Sequence, residues 1–241
     1  MKKALITLIL TIFFLKTNAQ TADQIVQKYV QQTGGDKAWK AIKTISSSGI
    51  YNYGGIEFPF TAIAKSPNKY KFIVPLNGKH YTQVFNGKSG WKIDAFKNET
   101  KPQYLTGKPA RALANEADVE IESPLINYAK KGFTIHLEGK ETIEGKECFK
   151  VNLFKQGGEV ESYFIDNQAY SLIMKRALSK NDELEKTILD AYFTDYREVN
   201  GVKIPFVVSY KFKDQNILKI TTEKVEMNIK VYDSIFKFLD N

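Results

Sequence analysis

Hydrophobic and polar positions change period three times along the chain. Residues 4–15 form an almost unbroken apolar run. Behind Thr21-Ala22-Asp23-Gln24, which reads as a capping box, Ile25, Val26, Tyr29 and Val30 recur at helical spacing until Gly34-Gly35 ends the pattern. The spacing predicts a helix of about three turns. A second short helix, capped by Asp36, carries Ala38, Trp39 and Ile42 on one side. From Thr44 onward the period falls to two, and strand-like runs alternate with turn residues almost to the end. In Ile56-Glu57-Phe58-Pro59-Phe60-Thr61-Ala62 the apolar residues share one face, and Pro59, which cannot donate to a ladder, suggests an edge or a bulge. Tyr70 to Val74, Tyr81 to Phe85 and Trp91 to Ile93 follow across turns at Ser66-Pro67-Asn68, Asn77-Gly78 and Asn86-Gly87.

The alternation breaks between about Ala95 and Gly132. Pro102 and Pro109 bound a polar loop there. Residues 110–131 are rich in helix formers, with Leu113, Ala117, Ile121 and Leu125 available for apolar contacts and Pro124 dividing the segment. Strands then resume: Phe133 to Leu137, Cys148 to Phe154, Val160 to Ile165, Tyr170 to Arg176, Ile188 to Tyr196, Ile204 to Phe212 and Ile217 to Val225. About ten or eleven antiparallel strands in meander order cannot stay flat, because twist accumulates, so a barrel or half-barrel is expected. Its concave side is to be covered by the N-terminal helix and the helical insert.

Lys2 and Lys3 before the apolar run, and Thr17-Asn18-Ala19 after it, complete the order of a secretory signal peptide. Cleavage after Ala19 divides the chain into a signal segment, 1–19, and one mature domain, 20–241, with the insert at about 108–131. Gln20 then opens the mature chain and no cysteine follows it for lipid attachment, so a soluble periplasmic protein is expected. Cys148 is the only cysteine and forms no intramolecular disulfide. The formal charge of +8 falls to +5 when Lys2, Lys3 and Lys16 leave. Only Arg111, Arg176 and Arg197 stand among the 35 basic residues, which speaks against nucleic acid as a partner.

The residues that carry chemistry are sparse. His80 and His136 have no neighbouring ligand at metal spacing, so no metal is expected. No nucleophile elbow, phosphate loop or dinucleotide fingerprint is present, which argues against a catalytic site and a cofactor. Cys148 alternates with Phe149 and Val151 as a small hydrophobe would. The weight moves to a protein whose function is a shaped apolar space.

Several segments resemble the LolA/LolB-like lipoprotein carriers, in particular the outer-membrane lipoprotein-sorting branch. They are Ala22-Asp23-Gln24-Ile25-Val26 with Gly34-Gly35 and Trp39-Lys40-Ala41-Ile42-Lys43-Thr44, Lys65-Ser66-Pro67-Asn68-Lys69-Tyr70-Lys71, Asn86-Gly87-Lys88-Ser89-Gly90-Trp91, Tyr163-Phe164-Ile165-Asp166, Asp195 through Phe206, and Ser234-Ile235-Phe236. The resemblance spans the mature chain in order. It implies a mainly β fold, a curved antiparallel half-barrel with a helical lid over an apolar cavity. It also implies a monomeric, non-enzymatic carrier of lipid or lipoprotein acyl chains, working between membrane donor and acceptor proteins. Phe58, Phe60, Phe72, Leu113 and Ile121 are the expected cavity and lid contacts. Lys71 departs from the pattern, since carriers of this group often have arginine there. The same fold also serves sensors of a membrane anti-sigma partner, which is the alternative, ahead of a hydrolase.

Overall fold

A computed structural model describes residues 20–119, 123–179 and 187–238. The expected signal segment and Ile121 lie outside them. The first helix, α1 (Ala22–Gln32), begins at the expected capping box: the Thr21 hydroxyl accepts from the Gln24 amide at 3.2 Å and Gln24 Oε1 accepts from the Thr21 amide at 3.0 Å. Helix α2 (Gly35–Ala41) is not capped by Asp36 as expected. Gly34 holds the N-cap at φ +115°, and a Cβ there would lie 2.3 Å from the Gly201 carbonyl oxygen, so both conformation and space demand glycine. Asp36 falls in the first turn and pairs with Lys40 instead, at 3.3 Å.

The remainder is one antiparallel sheet, curved and unclosed. Its strands are β1 (Thr44–Tyr53), β2 (Ile56–Lys65), β3 (Lys69–Leu76), β4 (Lys79–Phe85), β5 (Gly90–Ile93), β6 (Gln103–Tyr104), β7 (Thr134–Ile143), β8 (Lys146–Phe154), β9 (Val160–Asp166), β10 (Leu172–Leu178), β11 (Ile188–Val199), β12 (Val202–Phe212) and β13 (Gln215–Met227). The order is β6-β5-β4-β3-β2-β1-β13-β12-β11-β10-β9-β8-β7. Thirteen strands exceed the expected count. One reason is β6, whose two residues sit in the polar loop where no alternation could reveal them. β10 begins two residues later than expected. Asp166 Oδ1 accepts from the amides of Gln168 and Ala169, and the turn this builds holds Tyr170 at φ +53°, outside the strand.

Two meanders are joined at the middle of the sheet, where β1 pairs with β13, and the free edges are β6 and β7. Pro59 lies in an interior strand, but β2 pairs with β3 only over Thr61–Lys65, so the proline sits beside a locally open edge. The connection between the free edges carries helix α3 (Gly107–Val119) and a short 3-10 turn at Tyr128–Lys131. Pro109, expected to bound the preceding loop, lies in the first turn of α3, where a missing N–H costs nothing.

Alternation along the strands produces two apolar faces. On the concave face, Phe60, Ala62, Ala64, Tyr70, Val74 and Phe85 pack with Trp39 of α2 and Leu113 and Ala117 of α3. In the other arm Phe149, Val151, Leu153, Tyr163 and Ile165 pack on Ile25, Val26 and Tyr29 of α1 and on Leu125. The convex face holds two smaller clusters, one around Cys148, Phe164 and Met174, the other around Val84, Trp91 and Phe236. Fully burying an aliphatic or aromatic side chain contributes about 1.5–3 kcal/mol, so the concave face, with the most buried residues, dominates the stability.

Candidate functional site

The concave face of β1–β4 is an aromatic wall. Phe60 stacks on Phe72 with ring centroids 5.8 Å apart, Tyr51 meets Phe72 edge-on at 5.7 Å, and Phe58 meets Phe96 edge-on at 5.3 Å. Helix α3 lies across it. Leu113, 2 % exposed, reaches down to Gly90, where a Cβ would stand 3.0 Å from Leu113 Cδ2, so the glycine admits the helix. Burial pushes the Tyr51 hydroxyl up to about 12, and Tyr53 and Glu116 of α3 add to it.

Phe58, Phe60, Phe72 and Leu113 therefore meet in one cluster. Phe60 is buried at 5 % exposure, while Phe58 and Phe72 are half-buried. Tyr51, Tyr81 and Phe96 belong to the same wall and were not singled out from sequence. Tyr51 follows the polar run Ser46-Ser47-Ser48, and Phe96 stands in a loop without alternation. Lys71 does not face α3. Its cross-strand neighbours are Ile63 and Val84, both of the convex cluster, and burial lowers its pKa.

After α3 the chain returns across the face and is tied to α1: Leu125 and Ile126 are fully buried, and the Tyr128 hydroxyl donates to Asp23. Between α1 and this return segment runs an open groove of about 460 Å³, lined by Val26, Val30, Leu125 and Tyr128 among polar residues. The two covers of the concave face thus meet along a groove.

The second arm of the concave face carries a buried charge cluster. Glu161 is 0 % exposed, with Lys155 Nζ 2.8 Å from Oε1, Lys175 Nζ at 3.8 Å, and the Tyr163 hydroxyl donating to Oε2 at 2.6 Å. Burial would raise the Glu161 pKa. The two ammonium groups and the hydrogen bonds outweigh it and bring the carboxyl down to about 2. Cys148 is fully buried and its thiol is pushed up to about 11, chiefly by burial, so it holds its proton at neutral pH. Among the described residues no group of three or more His, Cys, Asp or Glu could hold a metal ion, and no helix is long and apolar enough to cross a membrane.

No protein-family model matches the chain, and neither does any curated protein sequence. Solved structures do. A DUF1329 family protein from Desulfovibrio piger matches with a TM-score of 0.61 at 14% identity, over 91% of this chain and 98% of that one. A LolA superfamily protein from Nitrosomonas europaea matches with a TM-score of 0.57 at 11% identity, over 91% and 98%. The fold is LolA-like. An outer membrane lipoprotein-sorting protein domain from Vibrio parahaemolyticus shares it, with a TM-score of 0.54 at 9% identity over 88% and 94%. At these identities the likeness concerns the LolA-like half-barrel alone.

Proposed function

We propose that this protein is a periplasmic carrier that holds lipid or lipoprotein acyl chains against the aromatic wall of Phe58, Phe60 and Phe72, and that it performs no covalent chemistry. The observation that carries this reading is the cover over that wall. Helix α3 lies outside the sheet's hydrogen-bond ladder and rests on the wall through small and aliphatic side chains, Leu113, Ala114 and Ala117. A cover held by side-chain contacts can lift without breaking the sheet. In this reading α3 and its return, about 108–131 by the sequence pattern, are a lid on a single domain spanning 20–241. Cargo replaces the lid's apolar contacts with its own.

Phe60→Glu tests the site. With the lid closed the carboxylate is buried, which costs several kcal/mol, but lifting α3 gives it water. The variant is expected to keep the circular dichroism of the sheet, to melt lower than the parent, and to lose displacement of a fluorescent fatty-acid probe. Hydrogen exchange on the same samples should show α3 opening ahead of the strands, with lipid slowing it in the parent alone. A folded variant that binds the probe as tightly as the parent would remove Phe60 from the site. A parent that binds no probe would remove the carrier reading.

Export belongs to the same proposal. It is supported by the charged, apolar and small-residue order of positions 1–19. The intact mass of exported protein is expected to correspond to a chain starting at Gln20 without acyl groups; a retained Met1 or added lipid mass contradicts it.

A further inference from the structure

Exposed apolar side chains are concentrated at one end of the half-barrel. Of the nine large hydrophobic residues exposed among the described residues, all but Tyr104 and Tyr232 lie at the end where β1, β3, β8, β10 and β12 finish. Six of them form the last rungs of three hairpins as directly opposed pairs: Tyr53 with Ile56, Phe154 with Val160, and Leu178 with Ile188. The seventh, Phe96, follows β5 at this end. A solvated turn ordinarily finishes on polar residues, as the β2–β3 hairpin at the opposite end does where Lys65 faces Lys69, and the apolar closing residues of the other hairpins there are not exposed.

Two further features say what meets this end. It is continuous with the aromatic wall, because Tyr53 stacks on Tyr51 at 6.5 Å and Phe96 touches both Phe58 and Tyr81. Its turns also carry the exposed lysines Lys79, Lys97, Lys101 and Lys213, interspersed with Glu57, Glu99, Glu159 and Asp214, in a chain whose net charge is positive. Separate prongs of Tyr, Phe, Ile and Leu, spaced along a curved edge with lysines between them, match a fluid interface of headgroups and acyl chains, where aromatic rings and snorkelling lysines are stabilised.

We propose that this end of the half-barrel is a docking edge for an anionic phospholipid bilayer. The inference deepens the carrier reading and rests on it for the direction of transfer: acyl chains pass between the bilayer and the wall along Tyr53, Phe96 and Phe58 without crossing water.

Vesicle flotation of the mature chain tests it, with phosphatidylcholine vesicles beside vesicles of phosphatidylcholine mixed with phosphatidylglycerol. The parent should float with the mixed vesicles and more weakly with the neutral ones. Ile56 is 61 % and Leu178 51 % exposed, so neither supports the core, and Ile56→Ser with Leu178→Ser should lower partitioning by about tenfold or more. Tyr232→Ser, at an equally exposed position (61 %) away from this end, should change nothing. The proposal is overturned if the parent does not float, if the double variant floats equally, or if Tyr232→Ser loses as much. It is also overturned if sedimentation shows this end pairing two copies of the chain in place of vesicle binding. Fatty-acid probe displacement without vesicles separates the two readings. Probe binding without flotation sinks the docking edge alone, and flotation without probe binding sinks the carrier alone.

Discussion

Gly49→Ala is expected to destabilise the protein by about 3 kcal/mol or more, at the top of the range for overpacking. Gly49 stands in β1 where the pairing with β13 shifts register between Ser48 and Gly49. A Cβ at this position would lie 2.0 Å from the Thr221 carbonyl oxygen and 2.9 Å from the Thr222 Cα, and both obstacles are backbone. No rotamer change relieves the contact, so β13 must move away from β1. That pairing is the one seam joining the two meanders. Gly54→Ala is the control: φ is +58° and a Cβ there meets nothing within 4 Å, so only the left-handed conformation is penalised, by about 1 kcal/mol. Urea unfolding of both variants reads the difference. Equal midpoints would mean that opening the seam costs no more than the strained turn at Gly54.

Glu161→Gln is the second large effect. The substitution leaves Lys155, whose side chain is 9 % exposed, with only the more distant Glu159 carboxylate at 3.7 Å, and takes from Lys175 the charge that faced it. Breaking a buried pair by removing one partner costs about 3–5 kcal/mol. Replacing the pair together, Glu161→Leu with Lys155→Met, should recover most of that loss, because two charges no longer have to be desolvated. The native carboxyl titrates near 2 against an ordinary value of 4.5. Its contribution is therefore complete above 4.5, falls as the pH drops toward 2, and is gone below. The shift corresponds to about 3 kcal/mol. Denaturant midpoints measured at neutral pH and between pH 4.5 and 2 should show the parent approaching Glu161→Gln as the medium acidifies. Parallel curves for the two proteins would remove Glu161 from the account.

Legibility from sequence followed locality. The capping box at Thr21 and Gln24 involves residues three apart, and the alternation of Ile56, Phe58, Phe60 and Ala62 is written in one strand, so both could be read directly. The wall's other members needed contacts across the sheet. Tyr51 became recognisable only when β1 paired with β2 and set it opposite Phe58. Phe96 required a 3-10 turn to fold back on Phe58 and Tyr81. The face of Lys71 was equally hidden, since the period of two says that neighbours oppose each other but not which side the helices choose. Glu161 sits among alternating residues as any solvated carboxylate would, and its burial depends on lysines from two other positions in the fold. Ile121 lies outside the described residues.

The placement of β1 beside β13 also bears on how the chain is assembled when it is delivered from its N-terminus. The first meander can zip as it emerges, because its pairings link consecutive strands. Its innermost strand then keeps a full row of unpaired amides and carbonyls until Gln215–Met227 arrives, at almost the end of the chain. Every shorter nascent species carries an open template for strand addition in the centre of the future sheet. Of the residues that line that template on one side, Ser46, Ser48, Ile50 and Asn52, all but Ile50 are polar, and the gap is closed by the last strand to be made.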